Sequence, residues 1–195
     1  YRNDGLQNQY VVYRKKDNSN SSEEVFLDPN KFSEDGTISL TGLYFSEDGK
    51  LISYTISEGG SDWRKAIVMD TETKQIIGDT LTNIKFSGIS WSGNKGFYYS
   101  SYDKPEGSEL SEYTDRHKLY YHQLNTDQKS DKIIFGDQKE KFRYVSGNVS
   151  DDNNFLFISA SNLTDGNKLY MIDLRNNSNR IQIMSDDPTT DEYVV

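Results

Sequence analysis

The sequence predicts an all-β fold: a partial β-propeller of three complete four-stranded antiparallel blades, with a partial blade at each end. Three observations carry this expectation. A serine-containing turn pattern recurs at Ser46, Ser92 and Ser150, 46 and 58 residues apart. The runs between turns alternate or are rich in β-branched and aromatic side chains, with 14 tyrosines and 9 phenylalanines among 195 residues, and such side chains fit half-buried strands. No run sustains a helical period.

The elements follow in order. QYVVYRKKD and EEVFLDPN supply the last two strands of a blade within residues 1–30. The first whole unit reads Leu43-Tyr44-Phe45-Ser46-Glu47-Asp48-Gly49-Lys50, then LISYTI, a loop, and WRKAIVMDTETKQIIGD, which gives a blade over 38–79. The second runs from Ile89-Ser90-Trp91-Ser92-Gly93-Asn94-Lys95-Gly96 through FYYSSY and a long loop to HKLYYHQLNTDQKSDKIIF, a blade over 84–135. The third, over 142–184, runs from Gly147-Asn148-Val149-Ser150-Asp151-Asp152-Asn153-Asn154 through FLFISA to KLYMIDLRNNSNRIQIM, and 189–195 begins the next blade. Four strands per unit of roughly 40–50 residues is the propeller pattern. The chain opens in mid-pattern at Tyr1-Arg2-Asn3-Asp4-Gly5 and ends on Glu192-Tyr193-Val194-Val195, as expected of a piece of a longer protein.

Glu47-Asp48-Gly49 is a pair of acids before a glycine. Its counterparts are Ser-Gly-Asn-Lys-Gly and Ser-Asp-Asp-Asn-Asn, so turn chemistry recurs while an acid pair does not. Ser and Asp side chains bond nearby backbone, and Gly takes the positive φ that closes a hairpin. The stretch reads as a turn. In an up-and-down blade the loops joining strands two and three share a face with the connections between blades. That face carries 57–62, 102–117 and 161–167, with strand starts near 83–86 and 141–144. Long loops on a rigid scaffold are where function concentrates.

Several chemistries are excluded or unsupported. The net charge of −9 argues against nucleic acid as a partner, because phosphate binding needs clustered Lys and Arg. No apolar run approaches a membrane span and no signal peptide is read within these residues; cytoplasm and periplasm both fit. There is no cysteine for a disulfide, a thiolate metal site or a nucleophile. Gly88-Ile89-Ser90-Trp91-Ser92-Gly93 approaches the G-x-S-x-G elbow but misses its last glycine, and lies in a strand entering a hairpin. His117 and His122, on one predicted strand, point to opposite faces and share no metal; one is read as loop-edge, the other as half-buried. Thr164-Asp165-Gly166-Asn167 and Ser150-Asp151-Asp152-Asn153 lack the spacing of a calcium loop. No catalytic residue, metal or cofactor is expected in these residues.

A set of stretches resembles the propeller domain of the prolyl oligopeptidase (prolyl endopeptidase) family. They are Asn3–Gln9, Val25–Asn30, Phe32–Thr37, Tyr44–Gly49, Gly60-Ser61-Asp62-Trp63, Lys85-Phe86-Ser87, His117–His122 and Val149–Asp152, in order over essentially the whole chain. The resemblance implies a serine peptidase that cleaves short peptides after proline. Its α/β-hydrolase domain would carry a Ser-Asp-His triad, covered by a seven-bladed propeller that excludes large folded substrates. The partners implied are that hydrolase domain and short proline-containing peptides. Phe86 matches a residue lining the peptide cavity, and Asp62 with Trp63 matches an interdomain contact. Residues 102–118 match a mobile loop associated with substrate access. Where some members have Arg and Cys, this chain has Ser161 and Thr164; where they have Met beside Gly-Gly, it has Val145-Ser146-Gly147. A stand-alone propeller scaffold that binds proteins is the alternative, separated by whether a hydrolase domain follows the last blade. Three blades cannot close a seven-bladed ring, so self-association through open blade edges is expected.

Overall fold

Turn-forming clusters cut the chain into short antiparallel strands. The structure, a computed structural model, describes residues 1–17, 21–78, 80–102, 116–137, 139–164, 166–176 and 180–194. Strands β1 (Val12–Arg14) and β2 (Glu24–Leu27) pair as a two-stranded sheet. The first four-stranded sheet holds β3 (Ile38–Phe45), β4 (Leu51–Glu58), β5 (Trp63–Asp70) and β6 (Leu81–Lys85). The second holds β7 (Ile89–Ser92), β8 (Gly96–Ser101), β9 (Lys118–Gln123) and β10 (Lys132–Phe135). The third holds β11 (Tyr144–Val149), β12 (Phe155–Ser161), β13 (Lys168–Asp173) and β14 (Ile181–Ser185). Each sheet runs in sequence order, and the sheets form an unclosed partial β-propeller.

Period-two side-chain alternation distributes the core between neighbouring blades. On β4, Ile52, Tyr54 and Ile56 turn toward Val12, Phe26 and Leu27 of the two-stranded sheet. On β8, Phe97 and Tyr99 join Ala66, Val68, Leu81 and Ile84 of the first sheet, while Tyr98 faces the third sheet with Leu156 and Ile158. A strand covered on both faces reads as a continuous buried run, as β8 does from Gly96 to Ser101. Fully burying a side chain such as Phe97 or Ile158 contributes about 1.5–3 kcal/mol relative to leaving it exposed. Polar clasps add direction to this packing. The Trp91 indole N–H donates across blades to the Tyr44 carbonyl at 2.9 Å, and the Val149 amide donates to Ser90 Oγ at 2.8 Å.

The Ser-Glu-Asp-Gly stretch is a hairpin turn. Ser46 Oγ accepts from the Leu51 amide at 3.0 Å, Asp48 accepts from the Lys50 amide at 3.0 Å, and Gly49 sits at φ +68°. Ser150 and Asp152 repeat the arrangement: Ser150 Oγ accepts from Phe155 N at 3.0 Å and Asp152 accepts from Asn154 N at 3.1 Å. The turns also hold one another. Asn94 Nδ2 donates to Asp48 at 2.8 Å, Gly93 N donates to Asn153 Oδ1 at 2.8 Å, and Asn153 Nδ2 donates to Glu47. The Lys50 amide foremost, and then Asn94, hold the Asp48 carboxyl well below the usual carboxylate range.

Strand pairing divides the first and second blades differently from the sequence pattern. The run Gln75-Ile76-Ile77, read as a fourth strand, makes one isolated bridge from Ile76 to Met69. Residues 81–85 instead pair with β5, Lys85 opposite Trp63 and Ile84 opposite Arg64, so position 84 lies on the outer edge of the first sheet. Phe86, at φ +49°, takes a left-handed turn that stops β6 before β7 begins at Ile89.

Candidate functional site

One end of the blades gathers the residues expected to matter. Gly59 and Gly60, at φ +58° and +75°, make the tight β4–β5 turn that only glycine adopts without strain. Ser57 Oγ donates to the Ser61 carbonyl at 2.6 Å, and Ser61 Oγ accepts from Trp63 N at 3.1 Å. This frame leaves Asp62 exposed, with no hydrogen-bond or ion-pair partner among the described residues. Trp63 is half-buried, and its indole N–H is shielded from solvent without a hydrogen-bond acceptor.

Cross-strand pairing sets Lys85 beside Trp63. The Lys85 ammonium lies 5.0 Å from the Trp63 ring centre and 5.2 Å from that of Phe86, a cation between two aromatic faces. No acid among the described residues pairs with it. Phe86 is 44% exposed and outside every core cluster. Its ring meets Tyr102 edge-on at 6.3 Å and Tyr144 at 5.9 Å. Tyr102 is buried and its hydroxyl donates to the Arg143 carbonyl. The patch therefore joins the ends of β5, β6, β8 and β11, with Phe86 as its exposed apolar point. Lys85, Tyr102 and Tyr144 fall within stretches the sequence marks on this face, but the sequence assigns none of them an individual role. Their signal is positional: each stands at or beside the end of a strand on the loop-bearing face.

Both histidines are buried, which corrects the loop-edge and half-buried readings. His117 is closed in by Tyr102, stacked on its ring at 4.4 Å, and burial pushes its imidazole down to about 4. His122 Nδ1 lies 2.8 Å from Asp131 Oδ1, and the Tyr99 hydroxyl donates to Asp131 Oδ2 at 2.8 Å. Burial foremost holds the Tyr99 phenol far above its ordinary value. Gln128 extends this network to Thr82 on β6 through both amide atoms, at 2.8 and 3.0 Å. These contacts bind strands to one another. Among the described residues, no serine hydroxyl meets a histidine ring and no acidic or histidine cluster could hold a metal. Residues 103–115 of the expected access loop, and Asp165, lie outside the described residues.

Comparison with known proteins bears on the family and the fold. The family model described as "Prolyl oligopeptidase, N-terminal beta-propeller domain" matches residues 1–195. The prolyl endopeptidase of Elizabethkingia miricola is 54% identical over 186 residues, 95% of this chain and 26% of that protein. A solved structure from a study of two prolyl endopeptidases superposes with a TM-score of 0.83 at 28% identity, covering 95% of this chain and 26% of its own. Prolyl oligopeptidase B from Galerina marginata gives 0.77 at 26% identity, covering 98% and 29%. The chain thus spans about a quarter of the length of the relatives it matches.

Proposed function

This chain belongs to the prolyl oligopeptidase N-terminal β-propeller family, and we propose that it is the substrate-gating propeller of a proline-specific serine peptidase that hydrolyses short peptides. In this reading the bond-breaking step lies with an α/β-hydrolase domain of the full-length protein, whose Ser-Asp-His triad supplies nucleophile and base. The propeller covers that triad, limits access to short chains and lends part of the cavity wall. Phe86 contacts the peptide, while Asp62 and Trp63 face the hydrolase domain.

The observation that carries this reading is the exposed Phe86 ring, held by a left-handed backbone on the loop-bearing face. An apolar ring kept out of the core suits contact with a ligand or a partner domain. The unpaired charges of Asp62 and Lys85 beside it suit contacts made outside this chain. Short chromogenic peptides ending in Gly-Pro test the reading. The full-length protein should cleave after proline and lose activity to a serine-protease inhibitor, whereas these 195 residues alone should turn over nothing. Absence of post-proline cleavage by the full-length protein would overturn the proposal.

A further inference from the structure

The Lys85-Phe86-Ser87 corner is fixed from both sides. Ser87 Oγ accepts from the Ser100 amide at 2.7 Å on one side. On the other, the fully buried His117 approaches with both ring nitrogens committed. Its Nδ1 accepts from the Val145 amide at 2.8 Å, which requires the ring proton on Nε2. Nε2 then donates to the Lys85 carbonyl at 2.9 Å. The backbone of His117 is itself anchored, its N–H donating to the Phe142 carbonyl at 2.8 Å. One imidazole therefore spans three blades: it sits at the start of β9, holds the end of β6 and receives a bond from β11. Its face stacks on Tyr102, which in turn meets the Phe86 ring. A non-glycine residue at positive φ is strained, and such strain persists only where the surroundings over-determine it.

We propose that His117 is a positioning residue: through the Lys85 carbonyl and the Tyr102 ring it holds Phe86 in the one orientation that presents its side chain outward. The functional half of this inference rests on the reading of Phe86 as a peptide contact; the structural half does not. Preorganising a contact residue through a buried second partner raises substrate affinity, because the ordering cost is met before binding. His117 itself touches no substrate.

Two substitutions separate its two bonds. His117→Asn places an amide where Nδ1 stood, keeping an acceptor for Val145 and losing reach to Lys85. His117→Gln extends its amide nitrogen toward the Nε2 position and restores the bond to Lys85. In the full-length protein, His117→Asn should raise KM for a proline peptide by roughly tenfold, the scale of one lost aromatic contact, with kcat little changed. His117→Gln should rescue it. In a Phe86→Ala background His117→Asn should add nothing, since both changes act through one contact. Hydrogen exchange of the peptide spanning 84–90 provides a readout independent of substrate. His117→Asn should speed exchange there and leave the other blades protected, whereas His117→Gln should not. Unchanged exchange at 84–90, acceleration spread evenly over the propeller, or an equal KM effect without Phe86 would overturn the inference. Faster local exchange, with KM indifferent to both His117→Asn and Phe86→Ala, would uphold the positioning role and refute the cavity reading.

Discussion

Lys85 and His117 stand 32 positions apart in sequence, yet the carbonyl of the first accepts a hydrogen bond from the ring Nε2 of the second at 2.9 Å. That bond connects the end of the first blade to the second, next to the exposed Phe86 ring on the loop-bearing face. The neutral imidazole makes the arrangement sensitive to acid. A second ring proton would sit on Nδ1 and face the Val145 amide, turning an attraction into a clash of two donors.

The first prediction concerns pH. The His117 pKa falls from 6.5 to about 4 on folding, with burial as the cause. Above pH 6.5 the ring is neutral in both states and contributes no pH dependence. As pH falls from 6.5 toward 4, the unfolded chain binds the proton first and stability is lost. Below about 4 both states carry it and the loss stops. By pH 5 the native propeller should have lost on the order of 2 kcal/mol through this group. Unfolding of wild type and His117→Gln at pH 7.5 and pH 5 checks this. The variant should lack that share of the acid loss, and an equal loss in both would contradict it.

Phe86→Ala should change binding more than folding. The side chain is 44% exposed and belongs to no core cluster, so stability should move by less than about 1 kcal/mol. KM for extended proline peptides should rise by roughly tenfold. A collapse of thermal stability with KM unchanged per folded molecule would make Phe86 a packing residue.

Gly147→Ala tests how closely the second and third blades approach. A Cβ at this position on β11 would meet Leu119 at 2.7 and 2.9 Å and Leu156 at 3.3 Å. Both leucines are fully buried and cannot yield without disturbing the inter-blade core. Overpacking of this kind costs about 1–3 kcal/mol. A variant melting with wild type would show that the blades can part at no cost.

Much of this was legible in the sequence, for physical reasons. The turns at Ser46–Gly49 and Ser150–Asn153 could be read because their side chains bond the backbone only a few positions away. The alternating faces of β4 and β12 could be read because a pleated strand has period two. β6 was harder. Gln75-Ile76-Ile77 has the better strand composition, but pairing follows the register set by Trp63 against Lys85, a long-range relation with no local signature. The role of His117 was equally hidden. Its partners come from three blades, and nothing in the spacing of Lys85, His117 and Val145 announces that they meet. Phe86, Asp62 and Trp63 came from family resemblance, and the pattern alone would have passed them over.

The 195-residue chain, prepared by itself, should self-associate. Strand β14 is the last of its sheet, and Ile183 and Met184 on it are exposed, as are Tyr1, Leu6 and Tyr10 near the other end. Unpaired strand edges offer free donors and acceptors to another chain. The charge of −9 limits disordered aggregation without satisfying those edges. Light scattering across a concentration series should show mass growing beyond the monomer; a strictly monomeric chain at all concentrations would refute edge pairing.

Cleavage of a chromogenic Gly-Pro peptide, measured side by side for the full-length protein and for residues 1–195, tests the central claim most directly. The propeller reading predicts post-proline hydrolysis by the full-length protein, abolished by a serine-protease inhibitor, and none by the propeller residues alone. Inhibitor-sensitive turnover by residues 1–195, or a full-length protein that leaves the proline bond intact, would contradict it.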